Sequence, residues 1–220
     1  MTSEFPPAFM RSRLQLMLNH PYLANAVARL PVVNAHKMDW CETMATDGYY
    51  IYVNPSFCED LNDEELKTVI AHEVLHCILG HLDRRGNRNR KRWNFAIDYA
   101  VNLLLVDAGF HLPKDGLLSR EFKGMTAEEI YNQLGSQDQG KKMMSSTGGF
   151  DDHVEPGDLE GSAIRASDYP SEQERIRLRV TLGKELKEKL PGREAGYYAE
   201  EIARASSSKI SWQQLLARFF

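Results

Sequence analysis

His72-Glu73-Val74-Leu75-His76 sets two imidazoles four positions apart, with a carboxylate beside the first. On a helix, positions four apart share a face, so both rings can reach one zinc ion while Glu73 addresses a metal-activated water. That is the chemistry of a metal-dependent hydrolase. The segment carrying the motif, Asn62–Arg84, reads as an amphipathic helix. Asn62 followed three residues later by Glu65 makes a capping-box pattern, and Asp63 and Glu64 put acidic charge in the first turn. Leu66, Val69, Ile70, Val74, Cys77 and Leu82 then recur at helical spacing. A plain buried helix with two hydrogen-bonded histidines would also contain these residues, but it would leave Glu73 as a carboxylate against a core face.

Two histidines do not complete a catalytic zinc site, which normally takes three protein ligands and a water. Three candidates stand out. Asp98 lies in a stripe of polar residues four apart, Asn94, Asp98 and Asn102, on an otherwise apolar helix. A connection of about ten residues lets that helix return beside the first, with Asp98 facing the histidines and Asn94 and Asn102 bonding the ligands from behind. His81 is nine positions after His72; on an unbroken helix it would lie roughly 180° around from the metal, so it needs Gly80 to break the helix. His153, in Asp151-Asp152-His153, is the third; a loop there could also occupy the open metal position and hold the enzyme latent.

The helices that position these residues need a core. At 220 residues with 42% hydrophobic content the chain can build one, and no apolar run approaches membrane-spanning length. The N-terminus lacks the order of a secretory signal, so synthesis for the cytoplasm is expected. Cys41, Cys58 and Cys77 have no CxxC spacing and read as buried thiols. A net charge of −4 gives no overall case for nucleic-acid binding. The basic run Arg84, Arg85, Arg88, Arg90, Lys91 and Arg92 is a local exception, read here as an interhelical loop without the interleaved aromatics of a stacking platform.

Along the chain, Phe9–Leu30 is expected to be helical with a break at His20-Pro21. Thr43–Ala45 and Tyr49–Val53 read as a hairpin around Thr46-Asp47-Gly48. A second helix is expected over Trp93–Ala108, ended by Gly109, and a short one from Thr126 to about Leu134; Leu112–Lys123 reads as irregular. Gly135–Pro170 is rich in Gly, Ser and Asp and reads as a linker; charged helices over Ser171–Leu190 and Arg193–Ser206 and an amphipathic Trp212–Phe220 follow. The expected organisation is therefore a core over residues 1–134, a linker over 135–170 and a C-terminal helical region over 171–220. The class is α+β, mainly helical.

Several features together carry a resemblance. The order of Ala45-Thr46-Asp47-Gly48, Asn54-Pro55, Ala71-His72-Glu73-Val74-Leu75-His76 with Gly80-His81, and Trp93-Asn94 with Ala96, Asp98 and Asn102 resembles the metallopeptidase domain that commonly precedes a von Willebrand factor A-like domain in bacterial and phage proteins. Thr126-Ala127-Glu128-Glu129-Ile130-Tyr131 and Trp212 with Leu215-Leu216 are similar to that family as well. The resemblance implies a zincin-like fold, one zinc ion as cofactor and peptidase activity. The chain has no room for the A-like domain, so it reads as a fragment or a shorter form whose partner would be such a domain.

The expected reaction is peptide-bond hydrolysis with His72, His76 and Asp98 on zinc and Glu73 as general base. The strand containing Tyr49–Val53 could take an extended peptide along its edge, and Tyr50 or Tyr52 could stabilise the oxyanion, although packing across strands is the more ordinary use of such rings. The rival reading is a catalytically silent, zinc-stabilised module that binds a protein partner through the C-terminal helices. A nucleic-acid repair protease or nuclease would rest on the Arg84–Arg92 run alone.

Overall fold

The computed structural model describes residues 5–114, 116–136, 164, 169–189 and 202–203. The elements are α1 (Pro7–Asn19), α2 (Pro21–Arg29), β1 (Val32–Asn34), β2 (Met44–Thr46), β3 (Ile51–Val53), α3 (Pro55–Asp60), α4 (Asp63–Leu79), α5 (Arg90–Asp107), a 3-10 turn (Arg120–Phe122), α6 (Ala127–Ser136) and α7 (Glu172–Lys189). The chain is mainly helical with one small sheet, an α+β arrangement. No helix among the described residues is long and apolar enough to cross a membrane. His153, the expected helix Arg193–Ser206 apart from residues 202–203, and Trp212–Phe220 lie outside the described residues.

Helix α4 is the centre of the molecule. Asn62 Oδ1 accepts from the backbone of Glu64 and Glu65 at 3.0 Å each, and Glu65 Oε2 accepts from Asn62 N at 3.2 Å, so the capping box closes. Every residue from Leu66 to Leu79 is buried, which makes α4 a core helix rather than a surface one. Its neighbours are α1, α2, α5, α7 and β2. The side chains of Leu16, Leu23, Val27, Leu66, Ile70, Leu104, Leu182 and Leu186 belong to one apolar cluster with it.

The break at His20-Pro21 falls between α1 and α2, as the proline requires. Helix α5 begins three residues earlier than the apolar pattern suggests. Asn89 Oδ1 accepts from Arg92 N at 3.0 Å and caps it, so Arg90, Lys91 and Arg92 form its first turn. The basic run is largely consumed internally. Arg84 donates to both oxygens of Glu128 at 3.0 and 2.6 Å, Arg88 donates to Arg84 O at 2.8 Å and lies over the Trp93 ring, and Arg92 stacks over Tyr131 with its carbon 4.0 Å from the ring centre. These contacts tie α5 to α6, whose Ile130, Tyr131 and Leu134 form a second apolar cluster with Trp93, Ala96, Tyr99 and Leu103.

The sheet differs from the expected hairpin in two ways. A third strand, β1, pairs parallel with β3 through Val32↔Ile51 and Asn34↔Val53, while β2 pairs antiparallel with β3 through Met44↔Val53 and Thr46↔Ile51. The order β1-β3-β2 puts β3 in the middle. Edge addition of a peptide to β3 is thereby corrected, because both of its sides are paired. The turn is also longer than expected. Asp47 Oδ1 accepts from Tyr49 N and Tyr50 N at 2.9 and 2.8 Å, which removes these tyrosines from the strand, and Gly48 takes φ +90°.

Candidate metal centre

Helices α4 and α5 run antiparallel. Trp93 at the start of α5 donates its indole N–H to His81 O, just past the end of α4, at 2.8 Å, whereas Asn102 further along α5 meets His72 one turn before His76. Between these two ties Asp98 faces the histidines. His72 Nε2 and His76 Nε2 are 2.8 Å apart, and Asp98 Oδ1 is 3.7 and 3.6 Å from them. The three donor atoms define a triangle whose corners lie about 2.0 Å from a common centre, the bond length zinc adopts with imidazole and carboxylate. All three residues are at most 4% exposed, so the cluster is built into the core rather than scattered on a surface. The donor set therefore fits a small transition-metal ion.

The network behind the donors decides which nitrogen each ring offers. Asn102 Nδ2 donates to Leu117 O at 2.9 Å, which fixes the amide so that Oδ1 faces His72 Nδ1 at 2.9 Å. His72 must then carry its proton on Nδ1, leaving Nε2 with a lone pair toward the centre. On His76 the corresponding place is taken by His81, whose Nδ1 lies 3.0 Å from His76 Nδ1.

His81 reaches that position because Gly80 ends α4 in the left-handed region, φ +62°, with its N–H donating to Cys77 O at 3.3 Å and His81 N donating to His76 O at 3.3 Å. The turn that would be needed for His81 to approach the metal does form, yet it brings the ring behind His76 instead of beside Asp98. Of the two asparagines in the stripe, Asn102 joins the network. Asn94 is half-buried and makes no hydrogen bond to the ligands among the described residues. The group standing against His76 Nδ1 is His81.

Glu73 is fully buried on the same stretch of α4. Tyr52, also fully buried, donates its hydroxyl to Asp47 Oδ2 at 2.9 Å, which directs its one proton into the turn rather than toward an oxyanion; burial, reinforced by the Asp47 charge, pushes that hydroxyl's pKa far up. Tyr50 packs its ring against Tyr49 at 5.0 Å and Tyr169 at 5.7 Å. The turn itself touches α4, Thr46 Oγ1 lying 3.1 Å from Cys77 Sγ.

A protein-family model described as a putative metallopeptidase domain matches residues 6–220. The chain belongs to this metallopeptidase family. Neither a curated protein nor a solved structure matches it. For a member of such a family the buried His72, His76 and Asp98 cluster is the natural candidate for the metal, since it alone among the described residues gathers three side chains with donor atoms within 4.8 Å of one another. Sequence reasoning singled out all three. His81, the alternative ligand the sequence offers, stands against His76 Nδ1, and the sequence carries no signal for Leu117, which contributes only a backbone carbonyl.

Proposed function

We propose that this protein is a zinc-dependent peptidase of the HExxH type, with a zincin-like core, in which His72, His76 and Asp98 hold one zinc ion and Glu73 is the general base. The observation that carries the reading is the convergence of two ring nitrogens and a carboxylate on one point with a further carboxylate next to the first ligand on the same helix. Three protein ligands are the number a catalytic zinc uses, and a structural site has no need of the extra carboxylate. When bound, the ion supplies Lewis-acid polarisation of a carbonyl and an acidified water. Glu73 would be the residue that holds a proton on its carboxylate between the attacking water and the leaving amine. Its burial favours this exchange, because the proton is passed in a site from which bulk water is held back.

An extended peptide would pair with a sheet edge. With β3 paired on both sides and β2 buried throughout, the half-buried β1 is the edge proposed for the substrate. The substrate is a peptide or protein. A cytoplasmic location and an A-like domain as downstream partner accompany this reading. So does the division into a core over 1–134, a linker over 135–170 and a helical region over 171–220.

The test is Glu73→Gln. It should keep stoichiometric zinc and lose peptide cleavage by at least a hundredfold, about 3 kcal/mol of barrier, measured on a mixed peptide library before and after zinc loading. Undiminished cleavage would remove Glu73 from the reaction. An unaltered chain that binds zinc tightly and cleaves no peptide would instead leave the silent, partner-binding module.

A further inference from the structure

We infer that His81 is a positioning residue for the zinc ligand His76: it accepts the proton on His76 Nδ1, and so commits that ring to offering Nε2 to the metal. This rests on the zinc-site reading above and extends it to a residue outside the motif.

A neutral imidazole has one N–H and one lone pair, and the two nitrogens exchange these roles between tautomers. For His76 to turn a lone pair toward His72 Nε2 and Asp98 Oδ1, its proton must reside on Nδ1. That N–H lies inside the core, so a protein group is needed to accept it. The acceptor facing it, at 3.0 Å, is His81 Nδ1. His81 therefore carries its own proton on Nε2. The two ligands of α4 are thus backed in the same way from different elements, His72 by the Asn102 amide of α5 and His76 by an imidazole from the turn that follows α4.

The surroundings hold His81 in this place. On a continued helix its side chain would point about 140° away from that of His76, so the left-handed Gly80 is what turns it back. The His81 carbonyl accepts the Trp93 indole N–H at 2.8 Å, and Trp93 is itself buried between α5 and α6. On the other side, Arg179 of α7 lies so close to Gly80 that a Cβ there would sit 2.7 Å from its Cδ, and the same guanidinium is paired with Asp83. The turn is fixed by α4, α5 and α7 together, and His81 is fully buried. Such placement gives the ring a fixed rotation as well as a fixed tautomer.

The experiment compares zinc affinity of the full chain, by competition with a chromophoric chelator, for the unaltered protein, His72→Ala, His81→Phe and His81→Gln. His81→Phe should bind zinc ten- to a hundredfold more weakly, the usual loss when the partner behind a metal-bound histidine is removed. His81→Gln, whose side-chain carbonyl can accept from His76 Nδ1, should recover most of that loss. Equal weakening in the two variants would mean that His81 acts as a ligand or as packing alone, and equal, undiminished affinity would remove its role altogether; either overturns the inference. If the unaltered chain binds no zinc, or His72→Ala binds as well as it does, the zinc site falls and the inference with it, so the two failures are told apart. Should His81→Phe not fold, ring-nitrogen NMR of the zinc-loaded unaltered protein decides. A proton on His76 Nδ1 with zinc on Nε2 is expected, and zinc on His76 Nδ1 or on His81 would refute it.

Discussion

At the scale of single residues, the two α4 histidines are oriented by what stands behind them. Asn102 has its amide orientation set by Leu117 O, and through that it sets the His72 tautomer. Asn102→Ala removes the acceptor and should weaken zinc binding ten- to a hundredfold with little change in fold, as read by chelator competition beside circular dichroism. Unchanged affinity would show that His72 is oriented by its packing alone. These relationships were only partly legible in the sequence. His72, Glu73, His76 and Asp98 could be found because helical spacing is a local rule, and the polar stripe on α5 stands out against its apolar neighbours. The placement of His81 could not, since it depends on the handedness of one glycine and on which end of an antiparallel helix arrives beside His76. That same choice leaves Asn94 outside the network while Asn102 joins it.

At the scale of elements, caps and turns explain most of what was anticipated. The Asn62–Glu65 box and the Thr126–Glu129 pair, in which Glu129 Oε2 accepts from Thr126 N at 2.8 Å, both form where their residue pattern places them. Strand β1 is not legible in the sequence because three residues, Val32-Val33-Asn34, are too few to display an alternating pattern. Helix α5 started early because a cap outweighs the charge repulsion of a basic first turn. The turn after α4 yields a sharper prediction. Gly80→Ala forces a side chain into the left-handed region and toward Arg179, and should cost about 1–2 kcal/mol or more, seen as a lower urea midpoint with an unchanged slope. An unaltered midpoint would show that the turn relaxes without loss.

For the whole molecule, the sheet and α7 both lean on α4, and the protein's response to pH reflects the way the hairpin is buried there. Burial raises the Asp47 carboxyl above its ordinary 3.8, and the backbone N–H groups of Tyr50 and Tyr49 and the Tyr52 hydroxyl only partly offset this. The folded chain then keeps the Asp47 proton to a higher pH than the unfolded chain does. Its contribution to stability is full below the ordinary value and is lost as pH rises through the raised native value. Asp47→Asn cannot ionise, so the stability of the unaltered protein relative to this variant should fall as pH rises above the ordinary carboxyl value of 3.8, measured by urea unfolding over a pH series. Parallel profiles would contradict the burial-driven shift.

The antiparallel pairing of α4 and α5 bears on how the site comes together. His72 and Asp98 meet by closing a loop of about 26 residues, whereas Arg179 meets Asp83 across 96, and the entropy of closure is smaller for the first by about 1 kcal/mol. All three candidate donors thus belong to a single helical hairpin, closed over a far shorter stretch of chain than the contact of Arg179 with Asp83. The clasp of α7 on the turn beside them is the dearer of the two.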